Sequence, residues 1–204
     1  MESAKRFSRL GVTASVTTEA LLFAGALVRH PGMVGAIAPA SRWLSRAMTR
    51  AVQACGCSHV IEVGAGTGSI TRAILASGMH LERYCAVERD PVLVDWLRAR
   101  HPGIEVLCDC ASCVLELIDT QRATAIVSSL PFRSLPAEQA SRCASVFSQA
   151  VCASPGTVLI QYSYGLGDSP PFATSEATLR WTLFERVVLN LPPASIWLLQ
   201  NTSP

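Results

Sequence analysis

The spacing of apolar positions changes near residue 55. Over the first thirty residues Leu21, Leu22, Phe23, Ala24, Ala26, Leu27 and Val28 make a broad, only partly amphipathic helical surface that His30-Pro31-Gly32 stops. A second helix is predicted after Pro39, with Ser41 placed as N-cap and Trp43, Leu44, Ala47, Met48 and Val52 on one side. From His59 onward short apolar runs alternate with helical ones. Strands are predicted at 59–63, 84–88, 105–108, 123–128 and 157–164, and helices at about 69–77, 91–100, 111–118 and 137–152. Two last strands, 182–189 and 196–199, are joined by Asn190-Leu191-Pro192-Pro193, a connection suited to a hairpin. This order predicts an α/β protein: a Rossmann-like, seven-stranded, mostly parallel sheet with a C-terminal antiparallel hairpin and an N-terminal helical extension. The expected division is an extension over 1–54 and a sheet domain over 55–204.

Composition narrows the setting. Half of the 204 residues are hydrophobic and 16% are charged, enough for a sizeable core. No apolar run reaches the roughly 18 residues of a membrane-spanning helix, and no signal peptide is recognisable, so a cytoplasmic location is expected. The eight cysteines are expected as reduced thiols. Cys110-Ala-Ser-Cys113 has metal-ligand spacing but no His at finger spacing, so no metal is expected. Residues 1–50 carry a local charge of +5, which leaves −3 for the remainder. A basic end beside an apolar helix suits peripheral contact with the anionic inner face of a membrane, although a solvated helix face would carry the same charges.

The chemistry begins at Val60-Ile61-Glu62-Val63-Gly64-Ala65-Gly66-Thr67-Gly68. An apolar strand that enters a glycine-rich turn and then a helix brings backbone N–H groups and bare Cα atoms against a ligand at the carboxyl edge of the sheet. A dinucleotide fingerprint would need glycine at 69, where Ser69 stands. Glu88 ends the second strand, placed for a ribose diol, and Asp109-Cys110 follow the third. A polar-Leu-Pro-Phe segment, Ser128-Ser129-Leu130-Pro131-Phe132, closes the fourth strand.

The E-x-G-x-G-x-G turn with Glu62, Gly64, Gly66 and Gly68 resembles the first motif of class I methyltransferases that use S-adenosyl-L-methionine. The resemblance assigns Asp109 to the adenine amino group and places Cys110 beside it. Pro31 to Ser41, Leu130 to Pro136, Gln161-Tyr162-Ser163-Tyr164-Gly165 and Asn190 to Ala194 further resemble the small bacterial phospholipid N-methyltransferases, which convert phosphatidylethanolamine towards phosphatidylcholine, and related ornithine-lipid methylases. It implies N-methylation of a phospholipid amine, with an N-terminal helix touching the bilayer. Ser128 is expected to orient the amine and touch the cofactor, with Phe132 packed against substrate or sulfonium. Tyr162 and Tyr164 supply hydroxyls around the amine, Tyr164 foremost, and Arg133 meets the head-group phosphate. RNA adenine dimethyltransferases also use a Leu-Pro-aromatic segment. Only 72 residues follow Phe132, however, and the catalytic part has no basic excess, so no nucleic acid is expected. A small-molecule amine methyltransferase and a non-catalytic cofactor-binding protein remain as alternatives.

Overall fold

The computed structural model describes Leu21 and residues 40–203. The helix expected over the first thirty residues, and with it the expected membrane contact, lies outside the described residues, Leu21 apart.

Helix α1 (Arg42–Cys55) starts where expected because Ser41, in extended conformation, accepts the Leu44 N–H on its Oγ at 3.2 Å. It stops where Gly56 takes φ +66°, a left-handed conformation that glycine adopts without a Cβ clash. Between these caps Leu44, Ala47, Met48, Ala51 and Val52 are fully buried in the same cluster as Val60, Ile70 and Ile160. Full burial of each Leu, Met or Val contributes about 1.5–3 kcal/mol, so α1 is held mainly by its packing on the sheet. The helix assigned by sequence to the extension therefore supplies part of the sheet domain's core.

The strands are β1 (His59–Val63), β2 (Arg83–Glu88), β3 (Glu105–Cys108), β4 (Thr124–Ser128), β5 (Val158–Tyr164), β6 (Leu179–Val187) and β7 (Ala194–Asn201). They form one sheet in the order β3-β2-β1-β4-β5-β7-β6, the first five parallel and β7 antiparallel to both neighbours. Helices α2 (Ser69–Leu75), α3 (Pro91–Arg100) and α5 (Ala137–Ala153) connect parallel strands, as does a 3-10 turn, Ala111–Cys113, that runs into the short α4 (Val114–Leu117). α1 to α3 cover one face and α4 and α5 the other, each over its own apolar cluster. The expected α/β architecture is thus observed.

The boundaries that differ most are those of the last two strands, β7 spanning 194–201 where 196–199 was expected. β6 spans 179–187 where 182–189 was expected, and a register shift between Leu183 and Glu185 interrupts its alternation. Val188 and Leu189 lie in the hairpin connection. The crossover order places the ends of β1 to β5 and the β6–β7 connection on the same rim of the sheet, because Tyr164, the last residue of β5, pairs with Ala194, the first of β7.

Candidate functional site

A cavity of 460 Å3 opens on that rim, within the roughly 300–1,000 Å3 range of small-molecule sites. Its floor is the turn after β1. Gly64, Gly66 and Gly68 all have φ between +59° and +82°, which side chains rarely adopt. They serve different purposes. A Cβ on Gly66 would meet nothing nearer than the Gly64 carbonyl oxygen at 4.0 Å, so its Cα faces open cavity. A Cβ on Gly68 would stand 2.8 Å from Leu97 Cδ2, so this glycine is there for the packing of α2 against α3. Gly64 and Gly66 line the cavity and Gly68 does not.

Glu88 is 4% exposed at the end of β2 and lines the cavity. Its Oε2 accepts the Gly66 N–H at 2.9 Å, and its Oε1 accepts the Arg89 and Asp90 N–H groups at 2.9 and 3.0 Å. The carboxylate thereby fixes the glycine turn and the start of α3 at once, while presenting negative charge to the cavity. Trp96 on α3 adds a second tie, donating to the Thr67 carbonyl at 3.2 Å. Asp109 and Cys110 line the cavity after β3. The Asp109 carboxylate accepts the Cys110 N–H at 2.6 Å, and the Cys110 thiol lies 2.8 Å from the Ser112 hydroxyl.

Glu62 departs from expectation. It does not line the cavity but is fully buried beneath the turn, where its Oε2 accepts hydrogen bonds from the Thr71 and Tyr84 hydroxyls, each at 2.5 Å. Its other oxygen has no partner among the described residues. Burial lifts this carboxyl to about 7, against the opposing pull of the Thr71 and Tyr84 hydrogen bonds.

On the opposite wall the structure moves the expected contact by one residue. Ser128 pairs with both Val63 and Gln161 inside the sheet, is fully buried, and its Oγ accepts the Leu130 N–H at 3.3 Å. Ser129, the first residue past the ladder, lines the cavity with Leu130 and Pro131. The loop is held by the Ser129 N–H donating to the Val63 carbonyl at 2.9 Å and by Gln161 Nε2 donating to the Leu130 carbonyl at 3.0 Å. Phe132 turns into the core, 4.7 Å from the Phe172 ring and 6.2 Å from that of Phe147.

The two tyrosines, two residues apart on β5, share one face and meet edge to face at 5.6 Å. Tyr162 lines the cavity and Tyr164 does not, which reverses the expected emphasis. The Tyr162 phenol interacts with Ser129 and Tyr164, and burial pushes its pKa well above the usual tyrosine value. Arg133 is exposed, lies outside the cavity lining, and donates to the Tyr164 carbonyl at 3.3 Å. Sequence reasoning missed Ala40 and the α5 side chains Gln139, Arg142 and Cys143, which complete the wall. No local motif marks a helix that reaches the site across a crossover. Among the described residues no group of three or more His, Cys, Asp or Glu side chains is placed to hold a metal ion.

No family model matches the chain. It is 33% identical over 124 residues to an ornithine lipid N-methyltransferase of Singulisphaera acidiphila, a match that spans 57% of this chain and 64% of that protein. It is 42% identical over 79 residues to a probable ribosomal RNA small subunit methyltransferase A of Haloarcula marismortui, spanning 37% of this chain and 26% of that one. The chain thus spans less than two thirds of either relative. Among solved structures, an O-methyltransferase from Bacillus cereus in complex with SAH superposes with a TM-score of 0.62 at 15% identity, covering 92% of this chain and 90% of that one. The fold is therefore the Rossmann-like fold of methyltransferases.

Proposed function

We propose that the chain is an S-adenosyl-L-methionine-dependent N-methyltransferase acting on the amine head group of a membrane lipid, phosphatidylethanolamine towards phosphatidylcholine, with ornithine lipid as the alternative amine. The observation that carries this reading is one cavity lined both by the glycine turn with Glu88 and Asp109 and by Ser129, Leu130 and Tyr162. Similarity to the ornithine lipid enzyme supports the substrate class.

The residues fit the cofactor. Gly66 leaves space that a Cβ would fill, Glu88 offers carboxylate oxygens to a ribose diol, and Asp109 with Cys110 offers acceptor and thiol to an adenine edge. When bound, the cofactor supplies an electrophilic methyl on a sulfonium. The remaining work falls to the opposite wall. Methyl transfer is an in-line displacement, so an amine nitrogen held about 3–3.5 Å from the methyl gains much of its rate from position alone. Ser129 and Tyr162 are the side chains that hold it. A tyrosine phenol is protonated at neutral pH, and burial raises that of Tyr162 further, so its oxygen orients an N–H as an acceptor and is no general base. An alkylamine has a pKa of about 10.4, so the proton lost on entry goes to solvent and the apolar Leu130 and Pro131 favour the neutral nitrogen.

Mass spectrometry of lipids from a host lacking methylated phospholipids, after expression of this chain, tests the proposal. Mono-, di- or trimethylated head groups are expected, and an unchanged lipid profile from a well-expressed chain would refute it. Similarity to the ribosomal RNA enzyme favours RNA adenine as a second reading. Methylated adenine in RNA of the same cells, with unmodified lipids, would select it.

A further inference from the structure

The β6–β7 connection is apolar and exposed in a way the cavity does not explain. Val188, Leu189 and Leu191 are 62%, 66% and 90% exposed, a third of the large exposed hydrophobics among the described residues, gathered within four positions. No charged side chain occurs from Val187 to the C-terminus. Scattered exposed apolar side chains need no account, but a contiguous protruding group marks a contact with something apolar.

Its surroundings say what that contact is. Asn190, buried at the centre of the loop, accepts the Ser41 hydroxyl at 2.5 Å and donates to the Pro192 carbonyl at 2.6 Å. The loop is thereby fastened to the start of α1, where Arg42 and Arg46 lie over the Trp43 ring at 4.7 and 6.0 Å from its centre. All three side chains are exposed. The same rim carries the cavity: Ala40 lines it, and the Gly165 N–H, directly after β5, donates to the Pro193 carbonyl at 2.7 Å. An uncharged leucine-bearing tip, an interfacial tryptophan and two arginines on one edge match, in order, the acyl layer, the head-group boundary and the lipid phosphates of an anionic bilayer.

We propose that the β6–β7 loop inserts Val188, Leu189 and Leu191 into the bilayer while Arg42, Trp43 and Arg46 sit at head-group level, so that the cavity mouth faces the lipid surface. The inference deepens the lipid reading and rests on it for the choice of a bilayer over a protein partner. It differs from the N-terminal anchor expected from sequence, since it places the seat on the described fold.

The test is co-sedimentation of the full chain with vesicles of equal parts phosphatidylethanolamine and phosphatidylglycerol, comparing the wild type with a Leu189→Ser/Leu191→Ser variant and an Arg42→Gln/Arg46→Gln variant. The leucine variant should bind roughly tenfold or more weakly at low and high salt alike, given the transfer free energy of two leucines. The arginine variant should lose affinity mainly at low salt. Thermal unfolding should stay near wild type for both, since none of the four side chains is buried. Unaltered vesicle affinity of the folded leucine variant would overturn the proposal. So would loss of self-association in that variant with vesicle binding intact, because the loop would then seat a second copy. Loop-dependent vesicle binding without methylation of any amine lipid would leave the seat standing and remove the catalytic reading instead.

Discussion

Along β1 to β3 the cavity is lined by the glycine turn and the Glu88 and Asp109 carboxylates, with Ile70, Arg89 and Leu93 beside them, whereas along β4 and β5 it is lined by uncharged side chains on a loop and a strand, with Arg142 reaching it from α5. The first wall is overdetermined: Glu88 alone accepts three backbone N–H groups, one from the turn and two from the start of α3, and Trp96 adds a second tie to the turn. The second depends on few contacts, among them Gln161 on the Leu130 carbonyl and the pairing of Tyr162 with Tyr164. A cofactor common to many reactions calls for the rigid wall. A substrate particular to one reaction is met by side chains that can change without unmaking the fold.

Substitutions on the two walls should therefore fail in different ways. The largest effect is expected for Glu88→Ala, which frees three backbone N–H groups as well as removing the proposed diol acceptor. Cofactor affinity in calorimetric titration should fall on the order of a hundredfold or more. Retained affinity would show that Glu88 holds neither the turn nor the cofactor.

Glu62 comes next and tests the foundation beneath that wall. Its folded pKa of about 7 lies above the ordinary carboxylate value, so folding favours the protonated form. Its contribution is fully present below about pH 4.5 and is lost as pH rises through about 7, a difference of up to about 3 kcal/mol. Glu62→Gln should flatten that part of the stability profile, measured by thermal unfolding between about pH 5 and pH 8. A variant whose profile still falls like the wild type would assign the slope elsewhere.

The glycines sharpen the contrast within one turn. Gly68→Ala forces a Cβ against Leu97 and should cost about 2–3 kcal/mol of stability, read by denaturant unfolding. Gly66→Ala meets no such clash, so beyond the backbone strain of roughly 1–2 kcal/mol that its left-handed φ imposes it should act on cofactor affinity. The smallest effect is expected on the second wall. Tyr162→Phe should lower the methylation rate about tenfold with cofactor affinity unchanged, and Tyr164→Phe, outside the cavity, should lower it less. Equal losses would show that the pair acts as one unit.

The same division governs what the sequence reveals. The strands and connecting helices were legible because short apolar runs alternate with helical ones, and α1 because Ser41 stands at its start for a local reason; the caps at Gly56 and Asp90 came only from the structure. Gly66, Glu88 and Asp109 were legible because they stand at or just past β-strand ends. Ser129 was displaced to Ser128 because sequence does not show where a ladder stops, and Ser128 is still paired on both sides. Tyr162 and Tyr164 have the same spacing from the core, and only the depth of the cavity along β5 tells them apart. Val188 and Leu189 prolong an apolar run that reads as strand, yet the pairing of β6 with β7 ends at Val187 and Ala194 and leaves them exposed in the hairpin connection. The wall positions supplied by Ala40, just ahead of α1, and by α5 are long-range and leave no local signal.

The most direct measurement follows the methyl group from one wall to the other. The purified chain is incubated with methyl-deuterated S-adenosyl-L-methionine and vesicles containing phosphatidylethanolamine and ornithine lipid, and the lipids are weighed by mass spectrometry. Deuterated methyl groups on the head-group nitrogen of at least one lipid are predicted. A chain that binds the cofactor but leaves both amines unlabelled would contradict the account.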